Sequence, residues 1–439
     1  MTSDFIEKKA LLKERWQSLP EQLKTTNQLS GKTIVSCGAT HHVMEKCNFS
    51  CTCCYLGPEA NKTEPLPFSE VKEQLDVMRA DFGIGGKVQI TAGEVTLLPL
   101  EDLGKIVAYA LEIGLDPMVM SHGQRFYEEP EYLKSLVKDF GLRKISIHID
   151  TTQRGRHGTN RNMTERDLHT VRNQFADLIR TVRRETGCPL QAASTVTVTD
   201  DNLSAVTDIT RWFFKNSDAF RLLSFLPVAD VGRTRQSQGS IERDGLWHQI
   251  DAACEVEMHR TPLQFGHREC NNLVPLLLVS FENEVVVLEG VRKGNVEDEK
   301  MLSRAIDVIG SSVDWGLSWK KNLGKLASIF ITHPVFLYET VSYTLYRIWS
   351  EREKVGDIIQ MTLDERKLPS LNPFLFVIHS FMSPGDLLTE VGKARLEACT
   401  FKVPVEGKLI SMCEMNAAGI RAKLDKSQIK PRRPVLEAR

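Results

Sequence analysis

The sequence predicts an α/β fold: an incomplete barrel of six β/α units with a mixed α+β extension at its C-terminal end. Three observations lead there. Between residues 31 and 228, short apolar runs alternate with amphipathic stretches of helical period. Strands separated by helix-length connections pair in parallel, with right-handed crossovers. The residues able to carry chemistry fall where the apolar runs end, which is where a barrel of parallel strands gathers its site.

Taken in order, Phe5 to Leu19 reads as an amphipathic helix ended by Pro20. It lies in a segment, 1–30, expected to cover the barrel or dock at its edge. Strand one, Ile34–Val43, runs into a cysteine loop. Then come helix Phe68–Phe82, strand Val88–Thr91, helix Leu103–Ile113, strand Asp116–Ser121 and helix Glu131–Asp139. Strand Ile145–Asp150, a polar helix Thr164–Thr186, strand Leu190–Val198, helix Leu203–Lys215 and strand Phe220–Leu226 complete the six units. Residues 31–235 make the barrel and 236–425 a substrate or lid region. Within the latter, Leu276–Ser280 and Glu284–Leu288 form a hairpin around Glu282-Asn283, Pro275 marks the start of its first strand, and Met301–Ile309 is a helix. Trp315–Lys354 holds three of the chain's six tryptophans. It is expected to close the barrel mouth, with Phe330, Phe336, Tyr338 and Tyr343 inward, or to lie aromatic side down on a membrane surface beside Lys320, Lys321 and Lys325. Lys426–Arg439 reads as a disordered basic tail.

A chain of 439 residues suits one large domain with appendages, and 41% hydrophobic residues suffice for its core. A net charge of −1 argues against a globally basic nucleic-acid binder. Ten cysteines with no apolar leader point to a reducing cytoplasm. No run of 18 uninterrupted apolar residues suggests a membrane span.

The most informative segment is Glu45-Lys46-Cys47-Asn48-Phe49-Ser50-Cys51-Thr52-Cys53-Cys54-Tyr55. Cys47, Cys51 and Cys54 form a C-x3-C-x2-C run. Three thiolates so close can hold three irons of a [4Fe–4S] cubane and leave the fourth without a protein ligand, whereas ordinary carriers use four cysteines. A zinc site would want four ligands, and no partner pair follows at zinc-ribbon spacing. Cys53, inside the run, could compete as a ligand but is expected not to hold the cluster. Downstream, Thr91-Ala92-Gly93-Glu94-Val95-Thr96-Leu97 follows the second strand.

The cysteine spacing resembles the cluster motif of the radical S-adenosylmethionine (SAM) superfamily, and Ala92-Gly93-Glu94-Val95 is similar to its Gly-Gly-Glu-Pro loop, with Ala for the first Gly and Val for the Pro. The resemblance covers residues 31–235. It implies a partial (β/α)6 barrel of the radical SAM type, with Cys47, Cys51 and Cys54 as cluster ligands and SAM chelated by the open iron. By the same resemblance, Gly93 and Glu94 face the SAM ammonium, His148 and Asp150 its ribose, Ser194 its methionine moiety, and Leu226 its adenine. His41 or His42, whichever faces the cavity, and Arg154 or Arg156, through anion-binding forks, are expected near substrate, as is Tyr338. The implied chemistry is one-electron cleavage of SAM to a 5′-deoxyadenosyl radical, which abstracts hydrogen or adds to an alkene, fed by a donor such as flavodoxin or ferredoxin.

A small-molecule or lipid substrate is expected, with no nucleic acid. The cysteine-loop context and Ser411-Met412-Cys413-Glu414-Met415-Asn416-Ala417 resemble members of hopanoid and other lipid pathways. Peptide modification is the alternative, weakened by the absence of that subfamily's tight C-terminal cysteine array. A non-catalytic iron–sulfur or zinc protein is the alternative of another class. Cys270, Cys399 and Cys413 lie apart in sequence, so a second cluster is open but not expected.

Overall fold

The computed structural model describes residues 3–234, 241–310 and 319–429. Trp315 and the tail from 430 onward lie outside the described residues, as do the side chains of Lys320 and Lys321. The strands are β1 (Cys37–Ala39), β2 (Lys87–Ile90), β3 (Asp116–Ser121), β4 (Lys144–His148), β5 (Gln191–Val198), β6 (Phe220–Pro227), β7 (Asn271–Ser280), β8 (Val285–Glu289), β9 (Ser370–His379), β10 (Phe401–Val405) and β11 (Lys408–Ser411).

They form one sheet in the order β11-β10-β1-β2-β3-β4-β5-β6-β9-β7-β8. Strands β1 to β6 pair in parallel, as the alternating pattern requires. The barrel is not closed. Helix Phe68–Phe82 shows how the layers are built. Val71, Leu75, Met78 and Phe82 recur at helical spacing and are at most 2% exposed, and Met78 and Phe82 pack on β1. Gly38 makes the approach possible, since a Cβ there would stand 2.9 Å from both Met78 and Phe82.

Strand β1 is shorter than expected. Backbone pairing ends at Ala39, and His42 adopts a left-handed φ of 53°. His41 and His42 therefore lie in the loop and not on opposite faces of a strand. The larger departure is C-terminal. Strand β9 adds in parallel to β6, and β10 adds in parallel to β1. The region after 235 thus extends both sides of the six-strand sheet instead of lying beside it. The β7–β8 hairpin forms around residues 281–284, with the Phe281 N–H donating to the Glu284 carbonyl at 2.9 Å. Pro275 lies in the middle of β7 and not at its start.

The aromatic segment is not the lid. Helices Trp319–Thr332 and Pro334–Ser350 pack on helix Val296–Ile309, and Arg352–Glu365 packs on Pro334–Ser350 beside β8, the last strand of the sheet. Arg347 donates to the Glu289 carbonyl at 2.8 Å, and the Tyr343 hydroxyl donates to Asp298 Oδ1 at 3.0 Å. Phe336 is buried against Phe330, while Tyr338 is 73% exposed. No helix among the described residues is long and apolar enough to cross a membrane. Helix Ile420–Gln428 runs through residues 426–428, the start of the stretch expected to be a disordered tail.

Candidate active site

The cysteine loop lies over the C-terminal ends of the strands, held by backbone on three sides. Cys47 N–H donates to Asn61 Oδ1 at 3.1 Å, and Asn61 Nδ2 returns a bond to the Cys47 carbonyl at 3.2 Å. Ser50 and Thr52 N–H groups donate to the Arg154 and Thr152 carbonyls, both at 2.9 Å. Arg233 N–H donates to the Cys54 carbonyl at 2.7 Å. The chain passes so close there that a Cβ on Gly232 would stand 2.4 Å from the Tyr55 carbonyl oxygen.

Within this frame, Cys47, Cys51 and Cys54 share one feature. Each sulfur accepts a backbone N–H: from Phe49 at 3.4 Å for Cys47, from Arg154 for Cys51, and from Leu56 for Cys54. Burial pushes Cys47 up to about 12 and raises Cys51 and Cys54 as well. The N–H donors oppose that, as does the Arg233 guanidinium beside Cys47 and Cys54. Such a site disfavours free thiolates but suits thiolates neutralised by a metal cluster and steadied by N–H···S bonds. The thiol of Cys53 instead lies near Thr52 Oγ1, at 3.9 Å, and borders the barrel cavity. The residues present therefore fit a three-thiolate cluster.

The Thr91–Glu94 loop lies directly beneath. Gly93 and Glu94 N–H groups donate to the Met44 and Lys46 carbonyls, at 2.9 and 3.0 Å. A Cβ at Gly93 would stand 2.2 Å from the Glu45 carbonyl oxygen, so only glycine allows the contact. Glu94 departs from expectation. Its carboxylate is fully buried and accepts from Thr96 N–H (3.1 Å), Thr96 Oγ1 (2.6 Å), Ser121 Oγ (2.7 Å) and the His122 N–H (2.9 Å). Three of these donors meet Oε1 and one meets Oε2. Glu94 is a clamp joining the ends of β2 and β3, its carboxylate already engaged by protein donors.

His122, which the sequence reading passed over, completes that clamp. Its Nδ1 accepts from the Gln124 N–H at 3.1 Å, so its proton sits on Nε2, within 2.8 Å of Asn48 Oδ1 and 3.2 Å of Glu94 Oε2. The ring stacks on Phe49 of the cysteine loop, with centroids 3.7 Å apart and 4° between planes. Burial lowers its pKa to about 4, so it is neutral.

At the ends of β4 and β5, Asp150 accepts from Thr152 N–H (2.9 Å), Thr152 Oγ1 (2.6 Å), Thr197 N–H (2.6 Å) and His148 Nε2. Burial opposes its ionisation, but His148 and these donors outweigh burial and hold it down at about 2. His148 keeps 29% of its side chain exposed. Ser194 is turned the other way. It is fully buried and donates to the Ile147 carbonyl at 2.9 Å, while Ala193, Thr195 and Thr197 on the opposite face of β5 line the cavity. Leu226 does line it.

That cavity, of about 290 Å³, is the interior of the open barrel. Cys53, Cys54 and Tyr55 border it from the cysteine loop. Its walls are mostly apolar: Met118 and Met120 from β3, Leu222 and Leu226 from β6, Phe381 after β9, and Phe401 from β10. Met412, Cys413 and Asn416 complete the wall.

The expected substrate residues do not converge on it. His42 is buried against Glu45 and Asp425, its Nε2 being 2.9 Å from Asp425 Oδ1, and His41 is bound to Gln74. Arg156 is 7% exposed and donates to the His122 and His148 carbonyls and to Gln153 Oε1, at 2.8 to 3.0 Å. Arg154 donates to the Thr151 and Gln153 carbonyls. Arg156 also lies over the Phe49 ring, 5.3 Å from its centroid, and the Arg154 carbonyl accepts from the Ser50 N–H, so both arginines support the cysteine loop. Tyr338 is on the outer helices, away from the cavity lining.

Residues 42–208 match the family model described as the radical SAM superfamily, and this stretch is a radical SAM domain. Domains of this superfamily use a [4Fe–4S] cluster and S-adenosylmethionine. No curated protein matches the chain. Among solved structures it is similar to native anSMEcpe with bound AdoMet, at 14% identity and a TM-score of 0.33, over 43% of this chain and 50% of that one. It is also similar to native anSMEcpe with bound AdoMet and the Cp18Cys peptide, at 12% identity and a TM-score of 0.36, over 50% and 58%. The chain spans about half the length of those structures.

Proposed function

We propose that the chain is a radical SAM enzyme acting on a substrate with an apolar body, a small molecule or the chain of a lipid, at an unactivated carbon. The observation that carries this reading is the apolar interior cavity bordered by Cys53 and Cys54 of the cysteine loop. Cys47, Cys51 and Cys54 would hold the cluster. The cluster and SAM supply one-electron cleavage of the sulfonium and hydrogen-atom abstraction. The chain's own residues position and shield. Gly93, Glu94 and His122 fix the cysteine loop to β2 and β3, and Arg156 ties it to β4. His148, Thr195 and Thr197 are the polar groups at the strand ends, suited to a ribose or a substrate hydroxyl. Met118, Met120, Leu222, Leu226 and Phe401 exclude water from the space below. Flavodoxin or ferredoxin would supply the electron.

The test is deuterium transfer. Lipid, polar-metabolite and peptide fractions from deuterium-grown cells are incubated anaerobically with the reconstituted protein, reductant and SAM. Deuterium in 5′-deoxyadenosine is expected from an apolar fraction. Transfer from the peptide fraction alone would overturn the substrate reading and leave the SAM chemistry intact.

A further inference from the structure

Cys270, Cys399 and Cys413 come from distant parts of the chain, yet they converge beside the cavity. Cys270 precedes β7, and its carbonyl accepts from the Ser380 N–H at 2.8 Å, just past β9. Two residues on, the Met382 N–H bonds the Cys413 sulfur, and Cys413 lines the cavity. Cys399 lies just before β10, with its sulfur 3.3 Å from the Phe401 carbonyl oxygen. Phe381, between Ser380 and Met382, packs on Phe401 with ring centroids 6.2 Å apart, and Lys402 pairs with Ser411, so the segments carrying Cys270, Cys399 and Cys413 meet at one place.

A buried cation accompanies them. Arg395 is 8% exposed, and its Nε has no hydrogen-bond partner among the described oxygens and nitrogens. Its terminal nitrogen donates to the Ser380 carbonyl, and its side chain reaches the Cys270 sulfur. Among the described residues, no carboxylate forms an ion pair with it. A guanidinium buried without an anion is costly, and a negatively charged group among these thiols would offset the cost.

We propose that Cys270, Cys399 and Cys413 ligate a second iron–sulfur cluster at the cavity wall, with Arg395 as its counter-charge. Among the described residues these sulfurs do not all lie within 4.8 Å of one another. Thiolates on a single zinc would stand about 3.8 Å apart, given a Zn–S bond near 2.3 Å. A polynuclear cluster spreads its outer thiolates more widely. Cys47, Cys51 and Cys54 share this open spacing.

The test separates this site from the N-terminal one. After anaerobic reconstitution, the wild-type chain should hold about eight irons, two clusters of four. The variant Cys47→Ala/Cys51→Ala/Cys54→Ala should keep about half of that iron, with an electron paramagnetic resonance signal that SAM leaves unchanged. The variant Cys270→Ser/Cys399→Ser/Cys413→Ser should keep the other half, with a signal that SAM perturbs. The chain lacking all six cysteines should hold none. An N-terminal triple variant that holds its native fold by circular dichroism but contains no iron overturns the proposal. So does iron retained by the six-cysteine variant, which would mark adventitious binding.

Discussion

Glu94 shows how a single side chain can carry a recognisable motif and also hold two strand ends together. Acidity and position suggest an ammonium partner, but four protein donors already occupy the carboxylate. Glu94→Gln replaces one acceptor oxygen with a donor facing other donors. It should destabilise the cluster-free protein by about 1–3 kcal/mol, the cost of buried polar groups left unpaired. Urea unfolding measures this. Unchanged stability with weakened SAM binding would restore the ammonium role. His122 gives a prediction in pH. Its folded pKa, about 4, lies below the ordinary value of 6.5, so the unfolded chain takes a proton that the folded chain refuses. Stability is therefore lost as pH falls from 6.5 to 4, with a slope of at most about 1.4 kcal/mol per pH unit from this residue. His122→Gln should flatten the stability profile in that window. An identical slope in the variant would show that His122 is not the neutral clamp described here.

The elements of the six β/α units were legible because their signals are local. Helix Phe68–Phe82 and strand Asp116–Ser121 form at the residues their periodicity indicates. Ser194 illustrates the period-two hazard: its strand was evident, but a shift of one residue decides which face meets the cavity. His122, just past a strand end, had no motif to mark it. Strands β9 and β10 were hidden because Pro373 and Pro404 interrupt them and their partners, β6 and β1, are remote in sequence. The aromatic helices were visible as helices but misplaced, since composition shows that a surface is apolar and not what it covers. Within helix Pro334–Ser350, Phe336→Ala should cost about 3–5 kcal/mol, the usual range for emptying a buried phenylalanine site. Tyr338→Ala, on the exposed side, should change stability by less than about 0.5 kcal/mol and leave SAM cleavage unaltered. A loss of turnover in Tyr338→Ala would revive the lid.

At the scale of the whole molecule, the cysteine loop and the apolar cavity belong to one sheet built from both ends of the chain. The cavity wall needs β9, β10 and the Met412–Ala417 helix, so the C-terminal part is integral to the barrel rather than an appendage. Of the site, the sequence marked the candidate cluster ligands, because three cysteines in one loop need no tertiary information. It could not disclose the convergence of Cys270, Cys399 and Cys413, which depends on the strand order. The measurement that tests the account most directly is 5′-deoxyadenosine formation from SAM by the anaerobically reconstituted, reduced protein, compared across single cysteine variants. The wild-type chain and Cys53→Ala should both form it, and Cys47→Ala, Cys51→Ala and Cys54→Ala should form none. Product from any of those three, or its loss in Cys53→Ala alone, would contradict the assignment.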